Sequence, residues 1–364
     1  MDSFKKLTII SIMVLGIIFT GMTYLKANKE KELRFNFEKR LQGWTAFAGG
    51  KVLLTRENVK EGKNALEFRY IIKPQQFAAV GVGNLNLAGI RKISFWVKTD
   101  VPSLLVVAIE ERDGSSYNYA FSTQKKQWQK IEFGIDSFEL DDDSQDENDR
   151  LDIAQVNGLL IVDAASFFGG KAGPRTLWLD DFQASEKPFI RPDYFSFDQD
   201  LKGWSTIFTD IGSLSVTNDP ENIKQGKGAL EFSYELKKDK FLAVFTKGVD
   251  LSQMKKISFW LKTDEPSIIV IGIKERDKSE YNYLVQTGKE KWVKVEIKPE
   301  QFNLSDDSND ENNKLDIDQL DGSLVILDAD NFFREIGKQK LWIDELKIHS
   351  VKNNMKETTE NTDE

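Results

Sequence analysis

Apolar and polar residues alternate along most of the chain after residue 33, in runs of five to nine residues that end at Gly, Pro, Asp or Asn. Ile93, Phe95 and Val97 form one such set, and Leu177 and Leu179 form another. A period of two with regular turns predicts antiparallel strands. About eight or nine strands in about 150 residues is typical of a two-sheet sandwich of the jelly-roll kind.

One long stretch of this pattern occurs twice. Residues 92–119 read KISFWVKTDVPSLLVVAIEERDGSSYNY, and residues 256–283 read KISFWLKTDEPSIIVIGIKERDKSEYNY. The two stretches align over their whole length without a gap. The chain is therefore a tandem duplication of one module. All eight tryptophans fall in matched pairs, which favours a shared core over a sugar-stacking platform for Trp44, Trp96 and their partners.

The duplication predicts an all-β protein with two tandem antiparallel β-sandwich domains of the jelly-roll kind, preceded by an N-terminal hydrophobic helix. We expect the modules to span residues 34–185 and 195–349. The linker at 186–194 contains two prolines and is expected to be short and stiff. Residues 350–364 form a polar tail that we expect to be disordered.

Residues 1–33 are interpreted as an export signal or membrane anchor with a short tether. The run from Leu7 to Leu25 carries no charge over 19 residues and is flanked by lysines. A cleaved signal usually has about 7–15 apolar residues and a membrane span about 17–25, so the length favours an uncleaved anchor. We expect the chain on the outer side of the cytoplasmic membrane, or secreted if the signal is cleaved. The tether would then hold the first module within about 25 Å of the membrane.

Composition excludes several classes of function. The formal net charge is −9 and no basic cluster stands apart from acids, so nucleic acid is not an expected partner. The chain has no cysteine, which excludes disulfides, thiol nucleophiles and zinc sites of the cysteine type. The single histidine, His349, is expected beyond the last strand of the second module, so we expect no Ser–His arrangement in either module core.

The hairpin within the repeated stretch provides candidate ligand-binding residues. If Asp113 and Gly114 form a two-residue turn, Glu110 lies opposite Tyr117 and both face away from the core. If the turn has three residues, the register shifts by one and the tyrosines point inward. The outward register assigns one set of residues in the two copies to a ligand face: Glu110, Arg112, Tyr117, Tyr119, Lys274, Arg276, Tyr281 and Tyr283.

An acidic loop follows the hairpin in each module. It reads DDDSQDENDRLD over residues 141–152 and SDDSNDENNKLD over residues 305–316. Oxygen-bearing side chains at every second position can wrap a hard cation such as Ca²⁺, and a solvated acidic loop is the alternative. The candidate calcium ligands here are Asp142, Asp146, Asp306 and Asp310.

Several short motifs together carry a family likeness. They are FNFE from Phe35, GKNAL from Gly62, ISFWVKTD from Ile93, the ERDG hairpin from Glu111 and LWLDD from Leu177. In this order they resemble the carbohydrate-binding modules with the galactose-binding jelly-roll fold, with family 11 modules the most similar. The resemblance covers both copies.

The resemblance implies a structural calcium ion between the first strand, the GK loop and the last strand of each module. Carried over, its ligands are Glu38, the Lys63 carbonyl and Asp180 in one copy, and Asp198, Lys227 and Asp344 in the other. It also implies that glycan lies on a concave sheet face lined by tyrosines and polar residues.

Three functions are therefore compared. The first is a non-catalytic protein of the cell envelope that binds a polysaccharide or oligosaccharide, with tandem linkage adding avidity. The second is a structural or assembly protein whose sandwiches contact another envelope protein. The third, a glycosidase with paired carboxylates, is least favoured, because 59 acidic residues make chance pairs plentiful.

Overall fold

A computed structural model describes residues 32–141, 143–148, 150–206, 212–236, 242–329 and 337–351. The predicted N-terminal hydrophobic helix and most of the predicted polar tail lie outside these residues. Among the described residues, no helix is long and apolar enough to cross a membrane. The chain divides into two compact units between Ile190 and Arg191, a position within the predicted linker.

The first unit consists of antiparallel strands and short 3-10 turns. Its strands are β1 (Glu32–Phe35), β2 (Thr45–Ala48), β3 (Lys51–Thr55), β4 (Ala65–Ile72), β5 (Ala78–Gly83), β6 (Lys92–Thr99), β7 (Ser103–Glu111), β8 (Ser116–Thr123), β9 (Gln129–Gly134), β10 (Glu139–Leu140), β11 (Val156–Asp163) and β12 (Gly173–Ser185). Its 3-10 turns are Ile135–Ser137, Ile153–Gln155 and Ala165–Phe168.

The second unit repeats this order of elements. Its strands are β13 (Tyr194–Phe195), β14 (Ser205–Thr206), β15 (Gly212–Thr217), β16 (Ala229–Leu236), β17 (Ala243–Thr246), β18 (Met254–Thr263), β19 (Ile268–Glu275), β20 (Glu280–Gln286), β21 (Val293–Ile297), β22 (Asn303–Leu304), β23 (Leu320–Asp328) and β24 (Gly337–Ser350). Its 3-10 turns are Pro220–Asn222, Pro299–Gln301 and Ile317–Gln319.

Each unit contains two six-stranded sheets. In the first unit the orders are β3-β4-β12-β6-β9, with β1 also paired to β12, and β10-β8-β7-β11-β5-β2. In the second they are β15-β16-β24-β18-β21, with β13 paired to β24, and β14-β17-β23-β19-β20-β22. Every pairing between these strands is antiparallel, and the prediction of two all-β sandwich domains is confirmed.

The core of the first unit lies between its two sheets, as the alternating pattern requires. Phe95 on one sheet and Val107 and Phe121 on the other are buried in a single hydrophobic cluster. Successive side chains of a strand point to opposite faces, so each sheet also has an outer face that points away from this core.

The tryptophans divide between these two environments. Trp44 and Trp204 are buried, and Trp44 packs edge-on against Phe35, as predicted for core residues. Trp96 and its partner Trp260 were predicted in the core and are instead half-buried on the outer faces of β6 and β18. A lysine amine lies 4.2 Å from the centre of each of these two rings. This cation–π contact shields one face of each indole ring outside the core.

Candidate functional site

The hairpin between β7 and β8 has a three-residue loop. Glu110 pairs with Ser116, and the Glu111 amide donates to the Ser115 carbonyl at 2.9 Å, which leaves Arg112 to Gly114 as the loop. A two-residue type I′ turn needs positive φ at both central residues, whereas in this loop only Gly114 has it, at 96°. The register with outward tyrosines is therefore wrong.

The second copy adopts the same loop without the glycine. Lys274 pairs with Glu280, and the Glu275 amide donates to the Ser279 carbonyl at 2.9 Å. Lys278 takes the left-handed position with a φ of 77°. The loop length is thus a property of both copies, although only the first copy has the residue that suits it.

The hairpin tyrosines consequently lie on the core side of their strands. Tyr117 and Tyr119 are buried, and the Tyr119 ring stacks on Phe133 with centroids 3.9 Å apart. Tyr281 is also buried, and Tyr283 on the same side of β20 is half-buried. Stacking on a sugar requires an open ring face, so the predicted tyrosine platform lacks its geometric basis.

The charged members of the predicted ligand face do lie where the pattern placed them. Glu110 and Lys274 are half-buried on the outer faces of their sheets, and Arg112 and Arg276 are exposed in the loops. Burial raises the pKa of Glu110. Contact between these four side chains and a ligand stays a prediction.

The structure brings the hairpin loop and the acidic loop of each unit together. In the first unit, carboxylate oxygens of Glu111, Asp113 and Asp146 all lie within 4.8 Å of one another. Hard cations such as Ca²⁺ prefer oxygen ligands of this kind, so the cluster could hold a metal ion. Sequence reasoning found Asp146 but missed Glu111 and Asp113, although both acids are kept in the second copy within the ERD motif.

Hydrogen bonds fix the shape of this acidic cluster. The Tyr117 hydroxyl and the Arg150 amide donate to Asp146, and the Asp152 amide donates to Glu111. The Tyr117 hydrogen bond is the main cause that lowers the pKa of Asp146. Burial raises the pKa of Glu111, and the neighbouring carboxylates raise it further. The core-facing tyrosine therefore contributes to the cluster through its hydroxyl group.

The second unit repeats the cluster with Glu275, Asp277 and Asp310. The Tyr281 hydroxyl donates to Asp310, and burial again raises the pKa of the glutamate. Two other predicted ligands do not join these clusters. Asp306 is exposed and lies outside the cluster, and Asp142 lies outside the described residues.

The carboxylates that the resemblance assigns to a structural calcium hold the GK loop through its amides. Asp180 is fully buried and accepts from the amides of Lys60 and Glu61, both at 2.9 Å. Glu38 accepts from the Lys63 amide at 2.9 Å.

In the second unit, Asp344 accepts from the Lys224 and Gln225 amides, and Asp198 accepts from the Lys227 amide. The carboxylate chemistry fits a hard cation. However, one oxygen of Asp180 and one of Asp344 each accept two N–H groups, which fill both lone pairs of that oxygen. A calcium ion held by these residues stays a prediction.

The second unit has an open outer sheet face. Opposed residues of neighbouring strands share a face, and one row across this sheet runs Phe245, Val325, Gly272, Asn282 and Asn303. Phe245 is half-buried, and Gly272 leaves the middle of the row without a side chain. Leu284, in the next row, is 63% exposed. An aromatic ring, a valine, a bare backbone and two amide groups thus follow one another across one surface.

His349 lies within the last strand of the second unit, so its expected position beyond that strand is wrong. β24 extends to Ser350, and the His349 ring forms a 2.8 Å hydrogen bond with the Ser258 hydroxyl. Ser258 is half-buried on the outer face of β18, opposite Glu296. The contact therefore joins neighbouring strands on a sheet surface.

Comparisons with known proteins give the following picture. No protein-family model and no curated protein matches the sequence. Among the solved structures similar to this chain are carbohydrate-binding modules.

A family 11 module from Clostridium thermocellum, in complex with a β-1,3-1,4-mixed-linked tetrasaccharide, is 17% identical over 45% of this chain and all of its own, with a TM-score of 0.35. The tandem of two family 22 modules from Paenibacillus barcinonensis Xyn10C is 18% identical over 90% of this chain and all of its own, with a TM-score of 0.31. An agarase is 10% identical over 42% of this chain and 26% of its own, with a TM-score of 0.33. The fold assignment rests on the sheets described above.

Proposed function

We propose that this chain is a non-catalytic carbohydrate-binding protein that takes a polysaccharide or oligosaccharide on an outer sheet face. The open face of the second unit carries this proposal. It carries the Phe245 ring and the Asn282 amide in one row, with Val325 and Gly272 between them, and the exposed apolar side chain of Leu284 lies two residues from Asn282 on the same face of its strand. Sugars have apolar ring faces and a rim of hydroxyl groups, so a surface of this composition complements them.

Other observations are consistent with a binding role. The face is built on central strands of a sandwich, and a rigid sheet holds such side chains in place before the ligand arrives. The carboxylate clusters Glu111–Asp113–Asp146 and Glu275–Asp277–Asp310 lie at the hairpin loops and have the composition of cation ligands.

Isothermal titration calorimetry of the full chain with soluble polysaccharides tests the proposal directly. The panel should contain mixed-linked β-1,3-1,4-glucan, xylan and β-1,4-galactan. We expect saturable binding of at least one polymer with no release of reducing ends on prolonged incubation. Absence of binding across the panel, or steady hydrolysis by the purified chain, would contradict a non-catalytic binding function.

We also propose that Ca²⁺ is the cation of the two acidic clusters. The support is the all-oxygen donor set in each unit and the repetition of the same three acids in both copies. A ligand that binds only the folded state raises its stability. Calcium should therefore raise the melting temperature of chelator-treated protein, and Mg²⁺ at the same concentration should do so less, because it prefers a smaller octahedral site. An unchanged melting curve would remove this part of the proposal.

An exported, membrane-anchored location completes the proposal. It is supported by the uncharged 19-residue run from Leu7 to Leu25 between lysines. Fractionation of producing cells, followed by mass spectrometry of the N-terminus, separates an anchored chain from a cleaved and secreted one. Contact with another envelope protein stays a prediction.

A further inference from the structure

The two units differ in the outer face of the sheet that contains the hairpin. In the first unit, the face opposite the core carries five apolar residues that are each at most 4% exposed: Leu104, Val106, Ala108, Leu160 and Val162. The register places these residues on adjoining strands of one surface. These five side chains are buried, whereas Leu284 on the corresponding face of the second unit is exposed.

The side chains at one matched position of this face also differ between the two units. Gly81 pairs with Leu160 on β11, and Phe245 pairs with Val325 on β23. Since β11 and β23 are the same strand of the two copies, Gly81 occupies the position that Phe245 has in the second unit. A side chain at Gly81 would collide with Leu160, so the first unit has no room for a ring there. The first unit thus lacks the aromatic group that the second unit places in the same row as its bare glycine.

The asparagine of this row also differs between the two units in its hydrogen bonding. Asn118 of the first unit donates to the Asp141 carboxylate at 2.7 Å. The Asp141 amide donates to the Ser116 carbonyl, and the Ser305 amide donates to the matched carbonyl of Glu280. Ser305 therefore occupies the position of Asp141 and has no carboxylate to offer. Among the described residues, nothing hydrogen-bonds to the side chain of Asn282. A half-buried amide without a partner gains from a ligand hydroxyl group.

From these differences we infer that only the second unit binds glycan, and that Phe245 and Asn282 determine this binding. The inference rests on the proposed carbohydrate-binding function. Phe245 provides the ring on which one sugar of the polymer stacks, and Asn282, whose side-chain oxygen lies over the bare backbone of Gly272, bonds a hydroxyl group of another sugar along the row. The first unit does not bind glycan, because the apolar side chains of its matched face are buried and the Asn118 amide already has a partner.

Full-chain variants test this division, with each unit serving as the control for the other. We expect Phe245→Ala and Asn282→Ala to weaken binding of the best polymer from the panel at least tenfold and about fivefold. Leu284→Ala should weaken it severalfold without affecting folding, since that side chain is mostly exposed. Asn118→Ala and Ile71→Ala, the latter an exposed apolar residue of the first unit, should leave the affinity within twofold.

Stoichiometry and melting curves complete the test. Calorimetry with a short oligosaccharide should give one site per chain, and melting curves should show that each variant is folded. Two sites per chain, binding that survives all three second-unit substitutions, or a loss in Asn118→Ala equal to that in Asn282→Ala overturns this inference and leaves the proposed function intact. No binding by the unmodified chain overturns both.

Discussion

At the scale of single residues, the buried glutamates of the acidic clusters allow the proposed cation sites to be tested. Burial raises the pKa of Glu111 and of Glu275, so the folded state favours their protonated forms. The stability that these protonated side chains contribute is fully present below the ordinary glutamate pKa of about 4.3, and it is lost as the pH rises through the higher folded value.

We therefore expect Glu111→Gln combined with Glu275→Gln to raise the melting temperature at pH 7 in chelator and to abolish the response to calcium. Glutamine keeps the oxygen that accepts the Asp152 amide and removes the buried charge. The control is Glu147→Gln, which changes an exposed acid of the same loop. A double variant that melts at the same temperature as the parent, and still responds to calcium, would exclude the clusters as cation sites.

The hairpin tyrosines allow a matched pair of substitutions. The Tyr117 hydroxyl bonds Asp146, whereas among the described residues the Tyr119 hydroxyl has no hydrogen-bond partner. Tyr117→Phe should lower the free energy of unfolding by roughly 1–2 kcal/mol, as expected for a lost hydrogen bond to a charged group, and Tyr119→Phe should change it by much less. Urea unfolding measures both. Equal effects would mean that the hydroxyl of Tyr117 contributes nothing specific.

At the scale of elements, the hairpin loop shows where the sequence alone stops being sufficient. The strands β7 and β8 follow from the alternating pattern, but the same residues suit a two-residue or a three-residue loop. That choice moves every side chain of β8 to the other face. In the second copy Lys278 holds a left-handed backbone that only glycine adopts without strain.

Lys278→Gly should therefore raise the free energy of unfolding by about 0.5–1 kcal/mol, the left-handed strain minus the extra entropy of glycine in the unfolded chain. Gly114→Ala, at the same position of the first loop, should lower it. Chemical unfolding of both variants checks the pair. A gain in both, or a loss in both, would show that backbone strain does not decide the stability of this loop.

Other features of the candidate site lay partly within reach of sequence reasoning. The burial of Trp44 and a candidate cation site at the acids of residues 141–152 and 305–316 followed from residue type and repetition. The participation of Glu111 and Asp113 could not be predicted, because the contact between the hairpin loop and the later acidic loop depends on the register of β7 and β8. The Phe245 row was also missed, since its members come from five different strands and no sequence spacing connects them.

At the scale of the whole molecule, the duplication makes each unit a reference for the other. In the first unit, buried Arg175 pairs with buried Asp163 at 3.0 Å, and the Tyr70 and Ser103 hydroxyls donate to the same carboxylate. In the second unit, Tyr234 and Ser267 bond Asp328 in the same way, and the residue matched to Arg175 is Gln339. The two copies therefore keep the two hydroxyl donors to this buried carboxylate and differ at the position of Arg175.

Arg175→Gln gives the first unit the residue of the second and removes the charge that pairs with Asp163. Removing one partner of a buried ion pair costs about 3–5 kcal/mol, so the first unit should unfold at a clearly lower temperature. Calorimetry of the full chain, with Trp44→Phe and Trp204→Phe variants to assign transitions to units, measures the shift. A loss below about 1 kcal/mol would mean that the hydroxyl donors alone support the carboxylate.

The anchoring of the GK loop has a consequence for how readily this scaffold accepts change. Asp180 and Asp344 hold their loops through main-chain amides, and the residues that supply those amides are Lys60 and Glu61 in one copy and Lys224 and Gln225 in the other. Every amino acid except proline has the required N–H group. Evolution, or a designer grafting a new recognition sequence, can therefore alter the outward side chains of these loops while the attachment to the sheet stays the same.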